Sequence, residues 1–196
     1  MKNPYKHLYI YYFEGIPEIT AEVERSKDYL GNWIDDDISF LFFSSARDEL
    51  VAEIDSSNSN ASLADSYQMT GEEWHGDKIE PYHINNLLIC PPWNRPEPDK
   101  ENEIPIILDP GVVFGTGRHQ TTEDCLYLVH RLFQKHQIET MLDIGTGTGL
   151  LAIGAAALGC PKVFACDFNY LAVKTCRNNI RLNEFEDKVV AFQARG

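Results

Sequence analysis

The sequence predicts an α/β protein in which part of a Rossmann-like, doubly wound parallel sheet follows a small α+β domain of ferredoxin-like type. Two features point to the sheet. Over residues 140–193, short β-branched or aromatic runs alternate with amphipathic runs, a βαβαβ order. Three glycines, Gly145, Gly147 and Gly149, stand where the first of these strands meets the first helix. A third feature sets the front apart: its short strands and helices are read as a small ferredoxin-like unit, and its charge is strongly acidic.

Taken in order, His7–Phe13 (HLYIYYF) is aromatic and β-branched and reads as a strand ended by Gly15 and Pro17. Ile19, Val23 and Leu30 among charges predict a helix over Glu18–Leu30. Asp35, Asp36 and Asp37 read as a turn before a strand at Ile38–Phe43, and Ala46–Ile54 reads as a second helix. Ser56–Ser62 is a loop, and Leu63–Met69 would complete the unit as a weakly patterned strand. Asn94–Pro105 (NRPEPDKENEIP) is rich in proline and charge and reads as a linker. The expected division is therefore 1–93, linker 94–105, and 106–196.

In the last part, Ile106–Leu108 is a short strand stopping at Asp109-Pro110-Gly111. A helix is expected over Thr121–Lys135, started by a capping-box-like Thr121-x-x-Asp124 and presenting Leu126, Val129, Leu132 and Phe133 on one face. Strands at Thr140–Ile144, Lys162–Asp167 and Val189–Gln193 then alternate with helices at Leu150–Leu158 and Tyr170–Leu182.

Composition narrows the function classes. The net charge is −13, and residues 14–80 alone hold 17 acidic against four basic side chains, so the remainder is neutral. An acidic face repels phosphate backbones, which argues against direct nucleic-acid binding, and it steers a basic protein partner; a plain solubility surface is the competing reading. No run of about 18 apolar residues predicts a membrane span, and no signal peptide is read at the N-terminus, so a cytoplasmic setting is expected. Five cysteines, with no C-x-x-C pair, predict reduced buried thiols and no structural metal site.

Met141–Gly149 reads MLDIGTGTG, with Asp143 ahead of the glycines. A strand entering such a loop and leaving as a helix needs glycine, because the turn is tight and a ligand must reach bare backbone. Asp167 ends the next strand, 22 residues after Gly145, the spacing of a carboxylate that accepts ribose hydroxyls at the adjacent strand tip. A nucleoside ligand is expected. Gly147-Thr148-Gly149-Leu150-Leu151-Ala152 also satisfies a dinucleotide pattern, G-x-G-x-x-A. A carboxylate at Asp143 disfavours a pyrophosphate, however, and suits S-adenosylmethionine, whose amine and sulfonium are cationic.

Leu108–Thr122 reads LDPGVVFGTGRHQTT, and Glu72–Trp93 contains EEW followed by EPYHINNLLICPPW. These stretches resemble the PrmA-type methyltransferases that modify large-subunit ribosomal protein eleven, over roughly residues 70–196. The resemblance implies a class I methyltransferase fold, S-adenosylmethionine as cofactor, and methyl transfer to lysine and N-terminal amines of a basic ribosomal protein that the front domain captures. It implies cofactor contacts at Thr122, Gly145 and Asp167, and pocket walls at Phe114, Gly115, Thr116, Gly117 and His119. No catalytic base is named. The family's sheet has seven strands and this sequence supplies three of them before Gly196. The expectation is thus a shortened chain that binds cofactor weakly and transfers no methyl group. Other readings are a class I methyltransferase for another protein or a small molecule, a nicotinamide-dependent oxidoreductase, and a non-catalytic acidic binding module.

Overall fold

The computed structural model describes residues 2–97, 102–113 and 116–195, and they fall into two compact units, one over Lys2–Gly76 and the other from Asp77 onward. In the front unit, alternating large apolar residues make strands β1 (Leu8–Gly15), β2 (Tyr29–Asp35), β3 (Ile38–Phe43) and β4 (Ala61–Met69). Helices α1 (Ala21–Glu24) and α2 (Asp48–Ser57) lie between them in sequence, and α3 (Gly71–His75) follows. The sheet is antiparallel with order β2-β3-β1-β4. Tyr11, Phe13, Leu41 and Phe43 form its core with Val23, Val51 and Ile54 of the helices. The Tyr11 hydroxyl donates to Asp48 and accepts the Arg47 N–H, each at 2.8 Å, which fixes the start of α2 on the sheet.

The expected helix over Glu18–Leu30 is cut to a single turn. Thr20 caps it by accepting the Val23 N–H, and the chain then enters β2. Tyr29, at the end of the expected helix, instead stands opposite Phe43 of β3 and packs edge-on against its ring, a contact that a lone solvated helix would not supply. Arg47 pairs with Asp28 just before β2, and this ion pair holds the Asp28 carboxyl well below the usual carboxylate range. The turn at the aspartate run is observed, with Asp36 at φ +47°.

The second unit begins with β5 (Tyr82–Ile84), β6 (Leu87–Cys90) and β7 (Ile104–Ile107). The first pair is antiparallel and the second parallel. Residues 77–93 therefore belong with the later part of the chain by backbone pairing, although the sequence groups them with the front. Leu87 and Ile89 enter the same core as Ile106, and it is this shared burial that draws the boundary forward to Gly76.

Helix α4 (Gln120–Lys135) is followed by β8 (Thr140–Ile144), α5 (Leu150–Ala157), β9 (Lys162–Asp167), α6 (Tyr170–Leu182) and β10 (Val189–Gln193). The last three strands form a parallel sheet of order β10-β9-β8. Helix α4 is capped by His119, whose Nδ1 accepts the Thr121 N–H, so Thr121 sits inside the helix rather than capping it. Leu126, Val129 and Phe133 face the core as expected, but Leu132 is exposed. The buried polar member of the helix is His130, which shares a 2.7 Å hydrogen bond with Asn86 in the β5–β6 turn.

One face of the parallel sheet packs on helices through Val163, Ala165, Val189 and Ala191. On the other face Leu142 is 55% exposed, Ile144 76% and Val190 51%. Leu142 and Val190 both stand opposite Phe164, which makes a contiguous apolar surface, and such surfaces bind hydrophobic dyes and favour association. The double substitution Leu142→Lys with Val190→Glu is expected to lower anilinonaphthalene sulfonate fluorescence and light scattering. The melting midpoint should hold, because exposed substitutions of this kind usually stay within about 0.5 kcal/mol.

Candidate functional site

The glycine segment is built from the tips of two strands. As β8 ends, the N–H groups of Gly145 and Thr146 both donate to the Cys166 carbonyl of β9, at 2.8 and 3.0 Å. The segment then turns with Gly145, Gly147 and Gly149 at φ of +75°, +54° and +89° and becomes α5, whose N-cap is Gly149. At Gly149 the conformation and the space both demand glycine, since a Cβ would stand 2.7 Å from the Cys176 sulfur of α6. Burial pushes the Cys176 thiol up to about 12, so it stays protonated and serves as packing. At Gly145 the same construction meets nothing within 4 Å, leaving bare backbone open to a ligand.

Two carboxylates flank this loop. Asp143, 6% exposed, accepts the Thr146 hydroxyl at 2.6 Å. Asp167, 8% exposed, accepts the Gly147 N–H on one oxygen and the Asn169 N–H on the other, each at 3.0 Å. A carboxylate has about four acceptor positions, so Asp167 keeps capacity for ribose hydroxyls while it also shapes the loop. Burial raises the Asp143 carboxyl above its ordinary value and the neighbouring Asp167 charge adds to this, against the lowering effect of the Thr146 hydroxyl. Neither acid is ion-paired among the described residues. Buried negative charge beside open backbone fits a ligand bearing a cationic end better than one bearing a pyrophosphate.

The second motif reaches the site through α6. The fully buried Asn179 accepts the Asp109 N–H and donates to the carbonyls of Asp109 and Thr148, all three at 2.8 Å. One turn later, Asn183 accepts the Ile107 N–H at 2.9 Å and donates to the Ile107 carbonyl at 2.7 Å. The two amides act as a side-chain strand beside the end of β7 and join residues 107–109 to the glycine loop. Sequence reasoning missed both, although polar residues four apart on the apolar side of a helix are a readable signal.

Other expected residues have more local roles. Thr116 gives its carbonyl to the Tyr82 hydroxyl at 2.9 Å, and Gly117 lies against Leu150 at the start of α5. Thr122 is half-buried in the first turn of α4, its N–H on the His119 carbonyl at 2.8 Å, and exposed His119 acts as the cap. Phe114 and Gly115 lie outside the described residues. Among the described residues no His, Cys, Asp and Glu group could hold a metal ion, and no helix is long and apolar enough to cross a membrane.

Parallel strand order, glycine loop and acidic strand tips define an α/β unit of the methyltransferase kind. The chain belongs to the family described as ribosomal protein L11 methyltransferase (PrmA), whose model matches residues 16–196. A ribosomal protein L11 methyltransferase of Carboxydothermus hydrogenoformans is 38% identical over 115 residues, which is 59% of this chain and 37% of that protein. One from Lactococcus lactis subsp. cremoris is 36% identical over 72% of this chain and 48% of its own length; for Vibrio campbellii the figures are 34%, 82% and 55%. The crystal structure of a ribosomal protein L11 methylase from Lactobacillus delbrueckii subsp. bulgaricus superposes with a TM-score of 0.50 at 30% identity, covering 61% of this chain and 58% of that one. The chain thus spans between about a third and just over half of the length of the curated relatives it matches.

Two outcomes test this geometry. Asn179→Ala removes three hydrogen bonds to the main chain of Asp109 and Thr148, and at about 1 kcal/mol for each it is expected to cost about 3 kcal/mol in urea unfolding of the second unit. Asn179→Asp should fare no better, because a carboxylate cannot donate to those carbonyls. At Asp143 the raised carboxyl makes the ionised form unfavourable in the folded chain. Stability is therefore expected to fall as pH rises from the unfolded-state value through the folded one. Asp143→Asn should raise the melting midpoint of the ligand-free chain at neutral pH, and the gain should vanish on acidification below the ordinary aspartate range.

Proposed function

We propose that this chain carries the S-adenosylmethionine-binding part of an enzyme that methylates lysine and N-terminal amines of ribosomal protein L11, in the cytoplasm. The front unit, which would hold the basic substrate, supports a ferredoxin-like reading through its βαββαβ order and β2-β3-β1-β4 sheet. The observation that carries the cofactor reading is the pair of buried carboxylates, Asp143 and Asp167, with no ion-pair partner among the described residues, beside the open backbone of Gly145. Membership of the family supplies the reaction class.

When bound, S-adenosylmethionine supplies an electrophilic methyl group on a sulfonium. The part played by this chain is to hold and orient it. Asp167 would accept the ribose hydroxyls, Asp143 would favour the cationic end through the field it sets up at the loop, and the N–H groups at the start of α5 would contact the ligand. Thr122, Gly147, Gly149, Thr116, Gly117, His119, Phe114 and Gly115 are assigned to the same pocket on family resemblance. An in-line displacement by a neutral amine gains most from alignment and exclusion of water, which explains why no general base is required of these residues.

Calorimetry with S-adenosylhomocysteine, with NAD as comparator, tests the reading. Binding of the first ligand alone is expected, weakened about tenfold or more in Asp167→Ala, since hydrogen bonds to a charged acceptor are worth about 1.5–3 kcal/mol. Preference for NAD would overturn it.

A further inference from the structure

Tyr82 stands at the head of β5, outside the parallel sheet, and its side chain meets residues 116–118 of the second motif. Its hydroxyl donates to the Thr116 carbonyl at 2.9 Å. The Arg118 guanidinium lies 4.7 Å from its ring centroid and donates to the Glu80 carbonyl at 3.3 Å, so that residues 116 and 118 are both held to the same short stretch of chain. Gly117 sits between them at φ +84°. A Cβ there would be 2.1 Å from the Tyr82 hydroxyl oxygen and 2.3 Å from the Leu150 side chain. Leu150 is the first residue of α5, directly after Gly149. Bare backbone at position 117 is thus wedged between the phenol and the start of the glycine-loop helix.

We propose that Tyr82 is a positioning residue for the cofactor site: its hydroxyl sets where residues 116–118 rest against the start of α5, and so sets the spacing between the two glycine-bearing segments. Burial raises the phenol well above its usual value, so it remains a neutral donor across the working pH range. The role rests on the cofactor reading above, but it concerns a residue outside both glycine-bearing segments. Tyr82→Phe removes the hydroxyl and leaves the ring, so packing and the Arg118 stack persist.

The test uses the full chain and two readouts. The first is the rate of tryptic cleavage after Arg118 without ligand, and the second is the calorimetric affinity for S-adenosylhomocysteine, with circular dichroism verifying the fold. Tyr11→Phe serves as comparator, because it too loses a hydroxyl donor, here to Asp48 in the front unit. Tyr82→Phe is expected to speed cleavage after Arg118 and weaken binding about three- to tenfold, the range of one net hydrogen bond. Tyr11→Phe should leave both unchanged even where it lowers the melting midpoint. Equal affinity in Tyr82→Phe and the unaltered chain overturns the role of Tyr82 alone, whether or not cleavage changes. Failure of the unaltered chain to bind overturns the cofactor reading, and the role of Tyr82 with it.

Discussion

The carboxamide of Asn179 is bonded on one side to the main chain of Asp109 and on the other to the Thr148 carbonyl, with no exposure to solvent. Asp109 lies two residues past the end of β7 in one sheet, and Thr148 belongs to a loop that leaves another. Without a buried group that both accepts and donates, the end of β7 would carry unsatisfied main-chain groups against an apolar helix. An amide satisfies both kinds at once, and Asn183 repeats the arrangement one turn later at Ile107. The approach of the second motif to the glycine loop depends on this pair, because no strand pairing links the two sheets among the described residues.

Around that joint the loop is over-determined. Gly149 leaves room for Cys176, and Asp167 ties the Gly147 N–H to the Asn169 N–H that begins the next helix. Asn169 then caps α6 by accepting the Leu171 N–H at 2.9 Å. The same helix therefore starts at one acidic strand tip and supplies, three turns on, the amides that hold the other motif. Rigid support of this kind lets Asp143 be held buried near a second carboxylate, which costs stability in the free chain.

Charge is divided between the units. The front unit carries the acidic excess mostly on its helices and loops, while its core is the apolar set of Tyr11, Phe13, Leu41 and Phe43 with Val51 and Ile54 of α2. Long-range attraction of a basic partner demands only that the charge be exposed, so it places no constraint on the fold beneath.

Much of this was legible from residue order. Strands at Ile38–Phe43, Thr140–Ile144, Lys162–Asp167 and Val189–Gln193, and the helix at Tyr170–Leu182, stand where the pattern places them, because each buries one periodic face and ends at its own turn residues. The glycine loop and its two acids were visible for the same reason: their spacing is local and is set by backbone geometry. What the pattern could not decide were the pairings between distant segments. That Tyr29–Asp35 is a strand depended on finding β3 as a partner, and residues 77–93 joined the second unit through β7. His130, Asn179, Asn183 and Tyr82 gain their roles from atoms 31 to 76 positions away in sequence. A buried polar group is satisfied by whichever partner the packed chain brings within 3 Å, and only the tertiary structure determines which one that is.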